Sequence, residues 1–343
     1  MRIEIVDHIP EEIWLTLMEK DENASFFHHP VWLNAITSSY RYKLMTFLVQ
    51  DDAGQILGGL PVFYIDSVIT GKRAISIPFS DYFAPLVASP QATTYLVDAL
   101  ERYRVTNNIP HLCIRHQLPQ HQAILEDKRY VLHKLVLQSD PSLVFGTFAK
   151  KFRQYPRKAE RDGLHVVSTN QKKDIDIFYS LHLKNRQKLG VPVQPKRFFD
   201  LIWENVISQG LGHIILVSND TKVISGAILL YYGSKIMIKY SASDPLYLHE
   251  RCHYYTFWKS IEWACLNGFS EMDFGRTDIV DDGLRSFKSG WGTEESLLVY
   301  SYIGTIPQDS ISGMGANIVG LIIRRSPEFV ARGIGQLLYK HFA

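Results

Sequence analysis

The sequence predicts a mixed α/β protein that is built from two packed domains. At 343 residues, the chain is longer than one ordinary hydrophobic core of about 100–150 residues requires. Its composition, with 46% hydrophobic and 21% charged residues, is typical of a chain that folds along its whole length. The order of predicted helices and strands is similar in the two halves, which suggests a duplication although no convincing residue-level repeat is found.

The first half is predicted to alternate helices with strands. Trp32, Leu33 and Ile36 follow helical spacing after His29-Pro30, and the Asp and Gly residues of 51–54 suit a tight turn between two strands. The predicted elements are strand Arg2–Val6, helix Glu11–Lys20, a helix from Pro30, strands Leu44–Gln50 and Ile56–Tyr64, helix Gln91–Asn107, and strands Leu112–Arg115 and Val131–Leu137.

The second half repeats this order and begins at Asp140-Pro141, because the residue before a proline is kept out of helical geometry and Ser142 can cap the next helix. The predicted elements are helix Leu143–Asp162, strand Leu164–Ser168, helices Ile175–Gly190 and Pro195–Gln209, strands Gly212–Ser218, Val223–Tyr232 and Ile236–Ser243, helix Glu250–Asn267, strand Glu271–Phe274, a loop, and strand Ser296–Ile303. We therefore predict domains over residues 1–140 and 141–310, followed by an amphipathic helical segment over 311–343.

The charge balance argues against a dedicated nucleic-acid binder. The 37 Lys and Arg residues against 35 Asp and Glu residues give a formal net charge of +2, so no DNA partner is predicted and an anionic ligand needs a local basic site. Cys113, Cys252 and Cys265 form no paired motif, and the 13 histidines show no metal-ligand spacing. We predict no bound metal.

No feature of the sequence predicts export or insertion into a membrane. The N-terminal residues lack a basic segment followed by an apolar core. The most apolar late stretch, Ile311 to Ile323, has about 13 residues, which is fewer than the ~20 needed to span a bilayer. A cytoplasmic protein is predicted.

An ordered series of short motifs runs through both halves. The first half contains Phe27–Trp32, Gly58–Pro61 and Pro78–Tyr82, and the second contains Lys184–Gly190, Tyr240–Ser243, Asp273-Phe274-Gly275-Arg276 and Phe287-Lys288-Ser289-Gly290-Trp291-Gly292. In this order the motifs resemble the FemAB-like branch of the GNAT superfamily, which includes the FemABX peptidyltransferases. Asp-Phe-Gly alone also occurs in protein kinases, but the glycine-rich loop and the His-Arg-Asp segment of kinases are absent from the sequence.

The resemblance implies two tandem GNAT-like domains, each a mixed sheet flanked by helices. It also implies an acyl or aminoacyl transferase that acts on an amine of a cell-envelope precursor, either a peptidoglycan intermediate or an amino sugar. Such a transfer needs a neutral amine, a positioned carbonyl and donors where the oxyanion develops. Because the sequence has no Gly-x-Ser-x-Gly elbow and no cysteine in an activating context, direct transfer without an acyl-enzyme is predicted.

The end of the second half supplies the main candidate site. By the resemblance, Phe287-Lys288 corresponds to a Phe-Lys pair of FemABX enzymes, so Lys288 is the catalytic candidate and Phe287 its substrate-binding neighbour. The alternative is a lysine in a surface loop. Asp273 and Arg276 lie at a strand end beside Gly275, where Arg276 could bind a phosphate or carboxylate. The alternative is an Asp–Arg pair that braces the loop.

A basic helix is the second candidate site. Residues 150–158 carry five basic side chains in nine positions around Tyr155. Arg153 and Arg157 share one helical face if Pro156 only kinks the helix. The resemblance implies that Arg153, Tyr155 and Arg157 bind the diphosphate of a nucleotide-linked or lipid-linked acceptor, and the alternative is a solvated charged face.

Two residues of the first half resemble acceptor-contacting segments of the family. Asp81 is the second catalytic candidate, because a carboxylate can orient an amine or accept its proton. Its alternative role is to cap its own loop. Trp32 is a candidate acceptor contact, and its alternative is a core residue.

The donor stays open between aminoacyl-tRNA and acyl-CoA, and no tightly bound cofactor is predicted. The glycine-containing turn that holds the coenzyme A pyrophosphate in GNAT acetyltransferases is replaced by residues 243–249 without glycine. Several FemABX proteins carry an inserted helical hairpin linked to tRNA, and residues 171–205 predict two ordinary helices instead.

The predicted partners are a phosphorylated envelope precursor as acceptor and, as one donor option, charged tRNA. The alternative function is a non-catalytic double-GNAT module that binds a phosphorylated glycan or lipid precursor. The segment Ile318–Phe342 has Arg324, Arg325, Arg332 and Lys340 among apolar residues. This pattern favours peripheral contact at the inner face of the membrane.

Overall fold

In the computed structural model, residues 1–307 and 314–342 are described, and they divide into two units. The first unit contains residues 1–129, 298–307 and 340–342, and the second contains residues 130–297 and 314–339. The sequence predicts boundaries between duplicated halves after residues 140 and 310. A division into compact units does not test duplication, so these boundaries stay a prediction. Of the predicted C-terminal segment, residues 311–313 and 343 lie outside the described residues.

The first unit is built on a mixed sheet flanked by helices. Its elements are β1 (Arg2–Val6), α1 (Glu11–Lys20), α2 (Pro30–Tyr40), β2 (Lys43–Gln50), β3 (Ile56–Ser67), β4 (Gly71–Ile75), β5 (Leu86–Val87), α3 (Pro90–Thr106) and β6 (His111–Ile114). The strands lie in the order β1-β2-β3-β4-β6. The pair β4·β6 is parallel, whereas the other pairs in this order are antiparallel. Residues Ser301–Gly304 add an antiparallel strand beside β6.

The second unit has the same kind of layered sheet. The elements that follow β6 are β7 (Ile124–Val136), α4 (Pro141–Thr147), α5 (Lys150–Arg161), β8 (His165–Val166), α6 (Lys172–Leu189), α7 (Lys196–Ile202), β9 (Gly212–Ser218), β10 (Val223–Tyr232), β11 (Lys235–Ser243), α8 (Cys252–Leu266), β12 (Glu271–Asp278), α9 (Asp282–Ser289), β13 (Glu294–Gly304), α10 (Met314–Arg325) and α11 (Glu328–Leu338). From residue 130 onwards β7 belongs to this unit, β13 belongs to it only up to residue 297, and the strand order of the unit is β7-β12-β11-β10-β9-β8. Within it, β11·β12 is parallel, and the other pairs are antiparallel.

An aromatic cluster joins α5 and α8 to the sheet of the second unit. Phe152 and Trp291 are fully buried in it, and their rings meet edge to face at 5.1 Å. Burial of an aromatic side chain of this size stabilises the fold by roughly 2–3 kcal/mol. The cluster therefore holds the basic helix α5 and the segment after α9 in place from inside.

The predicted mixed α/β class is confirmed, but two local predictions were wrong. The helix predicted over 143–162 is two helices, because Phe148 is buried against Trp291 and the Ala149 N–H donates to the Gly290 carbonyl. The loop predicted between Phe274 and Ser296 contains α9, which begins where the Asp281 side chain accepts a hydrogen bond from the Leu284 N–H. Among the described residues, no helix has both the length and the apolar character needed to cross a bilayer.

Candidate functional site

The parallel strands β11 and β12 stay paired only where they begin. Lys235–Met237 faces Glu271–Asp273, and no further register pairs these strands among the described residues. Beyond this point a cavity of about 380 Å³ is lined by residues of β11, β12, α8 and α9. A cleft at the carboxyl end of a parallel pair is the usual ligand site of open α/β sheets.

A bulge in β12 shapes one side of this cavity. The register against β7 shifts between Asp273 and Arg276. Gly275 has φ +76°, a left-handed conformation that glycine adopts without a steric cost. The buried Asp273 carboxylate accepts a hydrogen bond of 2.6 Å from the Gly275 N–H. Asp273 therefore braces the bulge through the backbone of Gly275.

Lys288 is held by the carbonyl groups of that bulge. It lies in the last turn of α9, is 6% exposed and lines the cavity. Its Nζ donates to the carbonyl oxygens of Gly275 at 2.7 Å and Arg276 at 3.0 Å. A buried ammonium requires such partners, because an unsatisfied charge is costly away from water. This burial on a helix excludes the alternative of a lysine in a surface loop.

Phe287 and Arg276 occupy different surroundings beside Lys288. Phe287 lines the cavity and packs edge to face on Phe257 at 5.2 Å. The Arg276 guanidinium lies 4.3 Å from the centre of the Tyr130 ring, a distance at which the cation is attracted to the ring face. Phe287 thus forms part of the cavity lining, whereas Arg276 is oriented by an aromatic ring.

A group of polar side chains in the cavity has no counterpart in the sequence prediction. The Thr256 hydroxyl donates to the Ser225 hydroxyl at 2.8 Å, and Ser225 is also 2.8 Å from the Ser243 hydroxyl. His253 lines the same cavity, and burial together with Arg251 lowers its pKa to about 4. His253 is therefore neutral at pH 7, and it is too weak a base to deprotonate an ammonium efficiently.

The basic helix α5 keeps its predicted geometry. Pro156 lies within the helix, so Arg153 and Arg157, which are four positions apart, share a face. Arg153 is half-buried and Arg157 is exposed. The Arg157 guanidinium lies 4.9 Å from the centre of the Phe145 ring. This contact orients one of the two cations that the sequence assigns to an anionic acceptor.

The structure places Arg251 against Tyr155 of α5. Tyr155 meets Tyr254 of α8 edge to face at 4.7 Å, and the Arg251 guanidinium lies 4.8 Å from the centre of the Tyr155 ring. Arg251 has φ +61° at the N-cap of α8. Sequence reasoning missed it because no local pattern places the start of α8 against α5.

The turn after β11 contains a buried carboxylate and, over residues 243–249, no glycine. Asp244 is almost fully buried, and its carboxylate accepts the Leu246 N–H at 3.1 Å. Lys222 and Lys184 lie 3.1 Å and 3.4 Å from the same carboxylate. Burial alone would raise the pKa of Asp244, but the Leu246 N–H and both ammonium groups hold it below its usual range. An internal anion thus already accepts the Leu246 N–H of this turn.

Trp32 and Asp81 belong to the first unit. Trp32 has no exposed surface, and its indole N–H donates to the Ser80 hydroxyl at 2.8 Å. It therefore supports the neighbouring loop from inside, as the core alternative predicts, and cannot contact an acceptor in this conformation. Asp81 is half-buried, and its backbone carbonyl accepts a hydrogen bond from the Tyr300 hydroxyl.

Comparison with known proteins gives one family match and several similar folds. Residues 146–294 match the family model described as an acetyltransferase (GNAT) domain. FemX is similar in fold, with a TM-score of 0.69, 14% identity, and coverage of 88% of this chain and 97% of that chain. L-PGS from Bacillus licheniformis has a TM-score of 0.54 and 11% identity over 94% of this chain and 100% of that chain. No curated protein matches the chain by sequence.

A tandem GNAT protein from the clavulanic acid biosynthesis pathway is also similar, with a TM-score of 0.56 and 12% identity over 90% of this chain and 100% of that chain. The predicted tandem fold is thus confirmed. The predicted resemblance to the FemAB-like branch is confirmed as well. Residues 146–294 thus match the model of an acetyltransferase (GNAT) domain, in a chain whose tandem fold is similar to that of FemX.

Proposed function

We propose that the protein transfers an acyl or aminoacyl group directly to an amine of a cell-envelope precursor, either a peptidoglycan intermediate or an amino sugar. The observation that carries this proposal is the position of Lys288, a buried ammonium in the cavity between the separating strands. A positive charge there stabilises the oxyanion that forms when an amine attacks a carbonyl. The similarity in fold to FemX supports the choice of substrate class.

The reaction needs no nucleophilic residue of the protein. The acceptor nitrogen attacks the donor carbonyl carbon, the carbonyl oxygen gains negative charge, and the bond to the leaving oxygen or sulfur then breaks. Lys288 would stabilise the charged intermediate, and the amine proton would leave with the departing group or to water. Asp81 in the first unit stays our proposed contact for the acceptor amine.

Arginine residues on α5 and at the start of α8 are the proposed acceptor site. The Arg157 guanidinium is oriented on the Phe145 ring and the Arg251 guanidinium on the Tyr155 ring. Guanidinium groups bind phosphate through charge-assisted hydrogen bonds. We therefore assign this surface to the diphosphate of a nucleotide-linked or lipid-linked precursor, which would bring the protein to the inner face of the membrane.

Asp244 favours aminoacyl-tRNA over acyl-CoA as the donor. Its carboxylate accepts the Leu246 N–H in the turn after β11 and is itself neutralised by Lys184 and Lys222. A coenzyme A pyrophosphate placed there would face this carboxylate. An aminoacyl ester does not depend on that turn, because its phosphates can bind elsewhere.

The test is a transfer assay with a UDP-linked muramoyl peptide as acceptor and either alanyl-, seryl- and glycyl-tRNA or acetyl-CoA as donor. We expect a mass increase of the acceptor with one of the charged tRNAs. Lys288→Ala should remove it, and the matched control Lys259→Ala should retain it, because Lys259 pairs with Glu160 and Glu262 away from this cavity. Acceptor binding without transfer from either donor would instead support the non-catalytic module.

A further inference from the structure

Helices α10 and α11 pack on the second unit through small residues. Both contact α6. Gly320 and Gly335 are buried, and a Cβ at Gly335 would lie 2.3 Å from the Val193 carbonyl oxygen. A Cβ at Gly320 would lie 3.0 Å from the Gly190 carbonyl oxygen. These helices are therefore seated by close approach of their backbones together with the buried side chains of Ile323 and Ala331.

Five large apolar side chains of the same helices point outward. Their exposed fractions are 53% for Ile318, 45% for Leu321, 48% for Ile322, 69% for Phe329 and 71% for Leu337. Ile318, Leu321 and Ile322 share a helical face through their i, i+3 and i+4 spacing. A surface helix normally turns such residues towards the core. Here Ile323 faces the core but five large apolar residues of two neighbouring helices stay exposed, and exposed apolar surface of this kind indicates an interaction site.

The charges around this surface are predominantly basic. Residues 314–339 contain Arg324, Arg325 and Arg332 against Glu328 alone. Arg325 follows Ile322 by three positions and so lies on the apolar face of α10, and Arg332 stands in the same relation to Phe329 on α11. Arg325 and Arg332 are both exposed. Pairing this face with its own copy would bring like charges together, whereas an anionic surface would neutralise them.

We propose that the outward face of α10 and α11 docks the protein on an anionic lipid bilayer. Phe329 and Leu337 enter the boundary between headgroups and acyl chains, and Arg325 and Arg332 contact lipid phosphates. The combination of exposed apolar side chains with flanking arginines is the pattern of interfacial helices that bind acidic lipids. The inference is independent of transfer activity, because none of these residues lines the Lys288 cavity.

Vesicle co-sedimentation tests it with the full chain. We expect binding to vesicles of phosphatidylglycerol and phosphatidylcholine, with at least tenfold weaker binding to phosphatidylcholine alone. The double variant F329D/L337D should lose binding to both by at least tenfold. R325E/R332E should lose only the preference for the anionic vesicle. The matched controls V280D and R102E alter exposed residues outside α10 and α11 and should bind like the unaltered chain.

Three outcomes would overturn the proposal. One is equal binding of the unaltered chain to both vesicle types or to neither. Another is unchanged binding by F329D/L337D with a normal melting temperature. The third is a dimer in sedimentation velocity that F329D/L337D dissociates while vesicle binding is unaffected, which would assign this face to a second copy of the chain. Circular dichroism of each variant establishes that the fold is retained.

Discussion

In the described part of each unit, one parallel strand pair is joined through a crossover. The chain that follows the paired residues differs between the two units. In the first unit, β4 and β6 pair at Ala74–Ile75 and Leu112–Cys113, and the loop that follows stays bonded to β6 and its extension. The Ser76 N–H donates to the Cys113 carbonyl at 2.8 Å, and the Arg115 N–H donates to the Ser76 hydroxyl at 3.0 Å. The Phe83 N–H then donates to the Arg115 carbonyl at 2.7 Å.

In the second unit, β11 and β12 separate after three paired residues and leave a cavity. The bulge at Gly275 directs two carbonyl groups to Lys288 instead of to a neighbouring strand. The same strand arrangement thus supports a hydrogen-bonded loop in one unit and an ammonium-lined cavity in the other. Chemistry depends on the residues that follow the paired segment, not on the fold itself.

The largest expected effect is on Lys288. Lys288→Ala should lower kcat for transfer by about 10²–10³-fold, which is the effect of removing one oxyanion-stabilising donor. It should also lower the free energy of unfolding by about 1–3 kcal/mol, because the Gly275 and Arg276 carbonyls lose a buried partner. Steady-state kinetics and chemical denaturation measure the two effects. A variant that unfolds more easily but keeps full kcat would show that Lys288 is structural.

The second effect is a loss of stability at acidic pH, and it depends on one buried histidine in each unit. Burial lowers the pKa of His28 and of His182 to about 4, against an ordinary value of 6.5. Between pH 6.5 and 4 the unfolded chain therefore binds protons that the folded chain does not. The free energy of unfolding is highest above pH 6.5 and should fall by on the order of 3 kcal/mol per imidazole as the pH drops to 4.

Denaturation at several pH values measures this fall. His28→Gln and His182→Gln should each reduce the pH dependence, and the double variant should reduce it further. If neither substitution alters the slope between pH 6.5 and 4, then other groups control the acid sensitivity of both units.

The third effect concerns acceptor binding. Arg153→Ala combined with Arg157→Ala should raise the acceptor KM by roughly 10–100-fold. A charge-assisted hydrogen bond contributes about 1.5–3 kcal/mol, and its contribution to binding is smaller where the arginine is exposed to water. The melting temperature should change little, because neither side chain lies in the core. Added salt should also raise the acceptor KM of the unaltered enzyme, because it screens the same charges. An unchanged KM would leave α5 as a solvated face and would direct the search for the acceptor site to Arg276.

The smallest expected effect concerns Trp32, which we expect to stabilise the loop that contains Ser80. Trp32→Phe removes the indole donor to Ser80 and should lower the free energy of unfolding by about 1 kcal/mol without raising the acceptor KM. Ser80→Ala should have a similar effect on stability, and the double variant should cost less than the sum, because the two residues share one bond. An increase in KM without a loss of stability would restore Trp32 as an acceptor contact.

Local pattern was sufficient for most of the regular elements. The predicted bounds of Arg2–Val6, Glu11–Lys20, Gly212–Ser218 and Val223–Tyr232 agree with β1, α1, β9 and β10. In these segments the spacing of apolar residues within a few positions is enough to predict a helix or a strand. The ordered motifs were likewise sufficient for the tandem fold, because they are read along one chain.

Tertiary structure alone decided the surroundings of the candidate site. Lys288 acquires its buried position from carbonyls 12 and 13 residues away, and Arg251 reaches Tyr155 from the start of another helix. Trp32 proved to be a core residue for the same reason, since Ser80 meets it across 48 positions. Whether a side chain faces solvent, core or cavity depends on elements that are distant in sequence, and the residue pattern of a single segment does not contain that information.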